Sequence, residues 1–152
     1  MARPIIRGTL FTDAARQHQP SQIRRDVLAD LEVLVVDDDD DTLELLSVIL
    51  HEYGAHVLKA RSAKAAVKIV EAIRVNVLVS DLAMLGEDGV WLIRQVRQLP
   101  PNRGGGIPAV AVTGYPFRYG RDRAADDTFE AYFTKPIDPF ELVRTVAGLV
   151  GR

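Results

Sequence analysis

The chain has 152 residues, the size of one ordinary domain, and 47% of them are hydrophobic, enough for a core. Nineteen Lys and Arg stand against 21 Asp and Glu, a net charge of −2 that gives no basic footprint for nucleic acid and none for a membrane surface. Cysteine is absent, which excludes disulfides, thiolate metal sites and cysteine nucleophiles, and no apolar run reaches the roughly 20 residues of a membrane span.

Residues 1–30 mix Arg3, Arg7, Arg16, Arg24 and Arg25 with Gln, His and Pro and show little periodicity. They read as an extension or linker ahead of a domain at 31–152, with one short helix expected in "SQIRRDVLADLEVL". No apolar signal region stands at the start, so the expected location is cytoplasmic. "VLVVD" (33–37) has the continuous apolar run of a strand buried on both faces. "DTLELLSVILHEYG" (41–54) places Leu43, Leu46, Ile49 and Leu50 on one helical stripe. "AHVLKA" (55–60) is a second strand, and Ser62 is placed to cap the helix in "AKAAVKIVEAIR". "VNVLVSD" (75–81) is a third strand, and Gly86 and Gly89 turn the chain into "VWLIRQVRQL" (90–99). "PPNRGGG" (100–106) is a loop, "IPAVAVTG" (107–114) a fourth strand and "AYFTK" (131–135) a fifth. A fourth helix belongs within 115–131, the least regular stretch. A fifth starts at Asp138 with Pro139 and Glu141 in its first turn. Strands separated by helices imply crossovers, hence a parallel α/β sheet covered on both faces.

Ligands of such sheets bind beyond the carboxyl ends of the strands. There the sequence puts Asp37 and Asp38, Asp81, Thr113 and Lys135 after the first, third, fourth and fifth strands. Clustered carboxylates stay ionised when a cation neutralises them, and an all-oxygen set suits Mg²⁺. A carboxylate can also attack phosphorus, with an ammonium and a hydroxyl to steady the phosphoryl oxygens. Asp39, Asp40 and Asp41 fit the electrostatics of a helix start instead. His18, His51 and His56 are too scattered for a metal site.

"VLVVDDD", "VLVSDLAMLGEDG", "VAVTG" and "YFTKP" resemble the motifs of response-regulator receiver domains of two-component signalling, over about residues 31 to 151. The resemblance implies a doubly wound, flavodoxin-like sheet of five parallel strands in the order 2-1-3-4-5. It implies that Asp81 accepts a phosphoryl group from a histidine kinase or phosphotransfer protein. Asp37, Asp38, Asp81 and the backbone carbonyl of Ala83 would hold Mg²⁺, and Lys135 would contact the phosphoryl oxygens. Thr113 and Tyr132 would be the switch residues, and the Lys135–Pro136 bond would be cis. A downstream protein would read the face of the fourth helix, fifth strand and fifth helix. A homodimer is left open. Such a domain is a signalling phosphoacceptor whose only reactions are its own phosphorylation and dephosphorylation. Leu85 departs from the family, which usually has Pro there, and Ala83 and Gly114 leave the site open to water.

Three other readings stand beside this one. The domain is a stand-alone receiver or the receiver module of a hybrid histidine kinase. "DDDDTL" (38–43) also fits the opening motif of haloacid-dehalogenase-type phosphatases, with Asp38 as nucleophile and Asp40 as acid/base. Third, a receiver-like fold serves as a docking module without phosphorylation.

Overall fold

A computed structural model describes residues 23–114 and 129–152. The described strands and α-helices run in the order β1 (Glu32–Val36), α1 (Asp40–Glu52), β2 (His56–Ala60), α2 (Ala63–Ala72), β3 (Val77–Asp81), α3 (Gly89–Gln98), β4 (Ala109–Thr113), β5 (Ala131–Thr134) and α4 (Pro139–Leu149). The sheet runs β2-β1-β3-β4-β5 with every neighbouring pair parallel. It is the flavodoxin-like order.

Side-chain alternation along the strands explains the two covered faces. Leu34, Val36, Leu78, Ala109 and Ala111 point to the side packed by α2 and α3. Val33, Val35, Val77, Val79, Val110 and Val112 point to the side packed by α1 and α4. The central strands β1, β3 and β4 are therefore apolar on both faces, while the edge strands "HVLKA" and "AYFT" are half exposed. The chain leaves β1 in one direction to β2 and returns past β1 to β3. In sheets of this kind the ligand position lies at that reversal, beyond the carboxyl ends of β1 and β3.

Each helix begins on the same edge, with a side chain capping its first turn. Asp39 caps α1 by accepting from the Thr42 amide at 3.1 Å, and Ser62 caps α2 through Ala65 at 3.1 Å. Asp88 caps α3 through Trp91 at 2.9 Å, and Asp138 caps α4 through Phe140 at 3.0 Å, with Pro139 at the first helical position. Two details differ from the sequence pattern. Ile49 is only partly buried, and Ser47 is buried in the α1 stripe because its hydroxyl donates to the Leu43 carbonyl at 2.6 Å and needs no water. The short helix expected before the first strand is not formed over its described part. Residues 25–30 are turns, and Asp30 sits at φ 66. Their backbone groups bond elsewhere: Leu28 donates to the Tyr53 carbonyl at 2.9 Å, and Leu31 accepts from His56 at 2.8 Å.

Leu28 is fully buried in the core of α1 and α4. Gly54, at φ 104, lets this segment approach, since a Cβ there would lie 3.0 Å from the Ala29 nitrogen. Residues 115–128, most of the stretch in which the fourth helix is expected, and the extension up to residue 22 fall outside the described residues, as do Arg118, Arg121 and Arg123.

Candidate functional site at the carboxyl edge of the sheet

The run of five aspartates separates into distinct environments. Asp37 follows β1, is buried, and accepts from the Asp39 amide (2.9 Å) and from the Lys135 ammonium (3.0 Å). Asp38 is half-buried and accepts from the Leu85 amide at 2.8 Å. Asp39 caps α1; the Thr42 hydroxyl and amide hold its carboxyl below the usual range. Asp40 points away and pairs with Arg61 at 2.8 Å. Asp41 is exposed in the first helical turn, where a negative charge faces the positive end of the helix dipole. Asp40 therefore stands outside the acidic cluster, which corrects the placement that the phosphatase motif requires: its carboxylate is held by a cation at the rim.

Asp81 ends β3, opposite Val112 of β4, and is only 5% exposed. Its carboxylate, with those of Asp37 and Asp38, offers ligand atoms that all lie within 4.8 Å of one another. Lys135 reaches across from the end of β5 to 3.0 Å from Asp37 and 3.5 Å from Asp81. Burial, then the neighbouring Asp37 charge, push the Asp81 carboxyl up from 3.8 to about 6, against the pull of Lys135 and the Ala83 amide. Burial lowers the Lys135 ammonium, but the bond and charges of Asp37 and Asp81 together outweigh it and raise it. Three acids and one ammonium leave this crevice short of positive charge. The donor set is all oxygen and compact, which fits a small hard cation such as Mg²⁺ that keeps some of its waters.

Thr113 is buried at the end of β4, and its carbonyl accepts from the Lys135 amide at 2.8 Å. Tyr132 lies three residues before Lys135 in β5, half-buried, its ring edge-on to Phe129 at 5.8 Å between centroids. The Lys135–Pro136 bond is cis. Gly114 leaves open space beside the lysine stem, where a Cβ would lie 3.9 Å from Lys135 Cδ. The amide of Ala83 donates to Asp81 Oδ1 at 3.3 Å.

Three contributors were not assigned to the site from the sequence. Ser80 is buried, and its hydroxyl donates to the Asp81 carbonyl at 2.8 Å. Gly89 packs so closely on that carbonyl and on Leu82 that a Cβ would collide with both. Leu85 acts through its backbone amide, which no side-chain pattern reveals. Only the glycine left a trace, in the "EDG" turn before α3.

Comparison with known proteins agrees with this fold. Residues 33–147 match the profile of the response regulator receiver domain. An uncharacterized 14.6 kDa protein from the sodA1 3′ region of Leptolyngbya boryana is 45% identical over 119 residues, which is 78% of this chain and 89% of that protein. The transcriptional regulatory protein GlrR of Escherichia coli is 27% identical over 114 residues; the match takes 75% of this chain but only 25% of GlrR. Among solved structures, the receiver domain of sensor histidine kinase PA1611 from Pseudomonas aeruginosa shares the fold, with TM-score 0.74 and 23% identity, covering 82% of this chain and all of that one. That structure has a magnesium ion coordinated in its active site cleft.

Proposed function

The chain belongs to the response regulator receiver domain family of two-component signalling, and from that premise we propose that Asp81 is its phosphoacceptor. The observation that carries this is a buried carboxylate at the end of a central strand, within 3.5 Å of a lysine ammonium and grouped with two further acids. The donor is a phosphohistidine on a histidine kinase or phosphotransfer protein. An Asp81 oxygen bonds to phosphorus as the donor P–N bond breaks, and the departing imidazole takes up a proton. The product is an acyl phosphate. Its hydrolysis by water returns the carboxylate and inorganic phosphate.

Asp37, Asp38, Asp81 and the Ala83 carbonyl are the proposed holders of Mg²⁺, which when bound supplies positive charge to the phosphoryl oxygens. Lys135 supplies a second positive charge from the β5 side. With a carboxyl that titrates at about 6, Asp81 is mostly ionised, and so nucleophilic, at neutral pH. Thr113 ends the adjacent strand β4, its hydroxyl is the proposed donor to a phosphoryl oxygen, and Tyr132 follows as the second switch residue. Their rearrangement biases the face of residues 115–130, β5 and α4 toward a downstream protein or a second copy. Among the described residues no helix is long and apolar enough to cross a membrane.

Incubation with acetyl phosphate and Mg²⁺, followed by intact-mass measurement, tests the proposal. Wild type gains one phosphoryl group and Asp81→Asn gains none. Labelling of Asp81→Asn at the wild-type rate, or steady turnover of a phosphoester by Asp81→Asn, contradicts it.

A further inference from the structure

The loop "PPNRGGG" (100–106) takes no part in the phosphoacceptor site, yet its shape is tightly fixed. It makes one turn of 3₁₀ helix at Pro101–Arg103 and then closes against the end of α2. Gly104 sits at φ 113, and a Cβ there would lie 2.7 Å from Val70 Cγ1; a Cβ at Gly105 would collide with the Leu99 carbonyl. Glycine permits both approaches. The Arg97 guanidinium holds the loop by donating to the Gly105 and Ile107 carbonyls at 3.0 and 2.7 Å.

Between this loop and the chain leaving α2 lies a cavity of about 270 Å³. Buried Val70, Val75 and Ile107 line it. Ile73, 43% exposed, stands beside them with the exposed Arg74 and Arg103. The cavity lies at the amino edge, because its walls lead into the first residues of β3 and β4, whereas Asp81 is the last residue of β3. Elsewhere on the surface Lys59, Arg61 and Lys64 pair with Glu44, Asp40 and Glu87. The guanidiniums of Arg74 and Arg103 have no partner among the described residues, although Glu71 also lines the cavity.

An apolar hollow flanked by unpaired guanidiniums suits an occupant that carries an apolar group and carboxylates together. The guanidinium fork matches a carboxylate, and a pocket filled by one anchor side chain is the common centre of a docking surface. Volume separates the possible occupants. Sites that enclose a whole small ligand run from about 300 to 1,000 Å³. At about 270 Å³ with an exposed rim, this cavity falls below that range and still has room for one large apolar side chain. Two cations against one acid in its lining favour a partner of negative charge.

We propose that this cavity is a docking site for an acidic segment of a partner protein, which places one apolar side chain in the hollow and its flanking carboxylates on Arg74 and Arg103. The site is at the opposite end of β3 from Asp81 and does not depend on the phosphoacceptor reading.

The test is a ¹⁵N NMR titration of the full chain with a panel of short synthetic peptides, each with a central Leu, Ile, Phe or Met flanked by Asp and Glu. Peptides of the panel shift the amides of residues 70–75 and 101–107 and bind with Kd below about 1 mM. Replacing the central residue by Ser, or the flanking acids by Lys, removes the binding. Arg74→Glu combined with Arg103→Glu, both at exposed positions, weakens it ~10-fold or more. The proposal is overturned if no peptide of the panel shifts these amides, if the Lys-flanked peptides bind as well, or if the double variant binds equally. Hexanoate alone, saturating the same amides as tightly as the peptides, would make the cavity a small-acid site and overturn the protein partner.

Discussion

The two edges of the sheet are built on opposite terms. The carboxyl edge crowds Asp37, Asp38 and Asp81 around a single ammonium, with burial working against ionisation of Asp81. The amino edge is apolar and satisfied at the entry to β1. Leu28, Leu31, Tyr53 and Ala55 are buried there, and the segment before β1 bonds to Tyr53 and His56. The last residue, Arg152, donates to the carbonyls of Val27 (3.2 Å) and Ala29 (2.6 Å) and ties that segment to the end of α4. Near the same edge Arg97 donates to Gly105 (3.0 Å) and Ile107 (2.7 Å), and burial lowers its guanidinium against the opposing pull of Glu130. One edge thus contributes stability, and the other gives some up by keeping like charges close together.

Four experiments break or sharpen that contrast. The largest effect belongs to the amino edge: Leu28→Ala leaves a cavity in a filled core and destabilises by about 2–5 kcal/mol in urea unfolding. Mg²⁺ affinity of the folded fraction stays within about twofold of wild type; a larger change would show the edges to be coupled. Second comes the acid at the other edge. The Asp81 carboxyl is raised above its ordinary value, so the folded state binds that proton more tightly than the unfolded chain. Its stabilising contribution is full below pH 3.8 and is lost as pH rises through about 6. Metal-free wild type should lose on the order of 2–3 kcal/mol across that window relative to Asp81→Asn. Parallel urea melts of the two proteins check it, and identical pH profiles would remove the strain assigned to Asp81.

Third, Mg²⁺ at about 100 times its dissociation constant adds ~2.7 kcal/mol to wild type by mass action. Asp38→Ala should show far less of that gain in thermal melts, because the site loses a ligand. The smallest effect is Arg152→Ala, which removes charge-assisted bonds at an exposed position and costs about 1 kcal/mol with phosphorylation unchanged. A variant that phosphorylated several-fold more slowly would link the two edges through α4.

Much of this was legible from local chemistry. Gly86 and Gly89 mark the turn before "VWLIRQVRQL", and Asp88 between them caps α3; Ser62, Asp138 and Pro139 cap and start their helices as their types demand. The apolar runs of β1, β3 and β4 announced strands covered on both faces, and the acids and lysine at strand ends pointed to one rim. The division of labour within "DDDDD" was only partly legible. Asp39 and Asp40 are identical in type, yet one caps a helix and the other pairs with Arg61, a residue 21 positions away. The segment 23–30 looked like linker because its placement depends on Tyr53, Gly54 and Arg152, which lie far along the chain.

By itself the sequence determined the strands and helices described from β1 onward and on which side of each strand its apolar residues stand, because period, caps and turn residues act within a few positions of one another. Tertiary structure alone decided what each charge meets. The 3.5 Å approach of Lys135 to Asp81, the Leu85 amide on Asp38 and the clasp of Arg152 over the entry to β1 join residues brought together by the strand order. Coulomb energy and burial depend on those distances through space, and position in the chain does not encode them until the sheet is assembled.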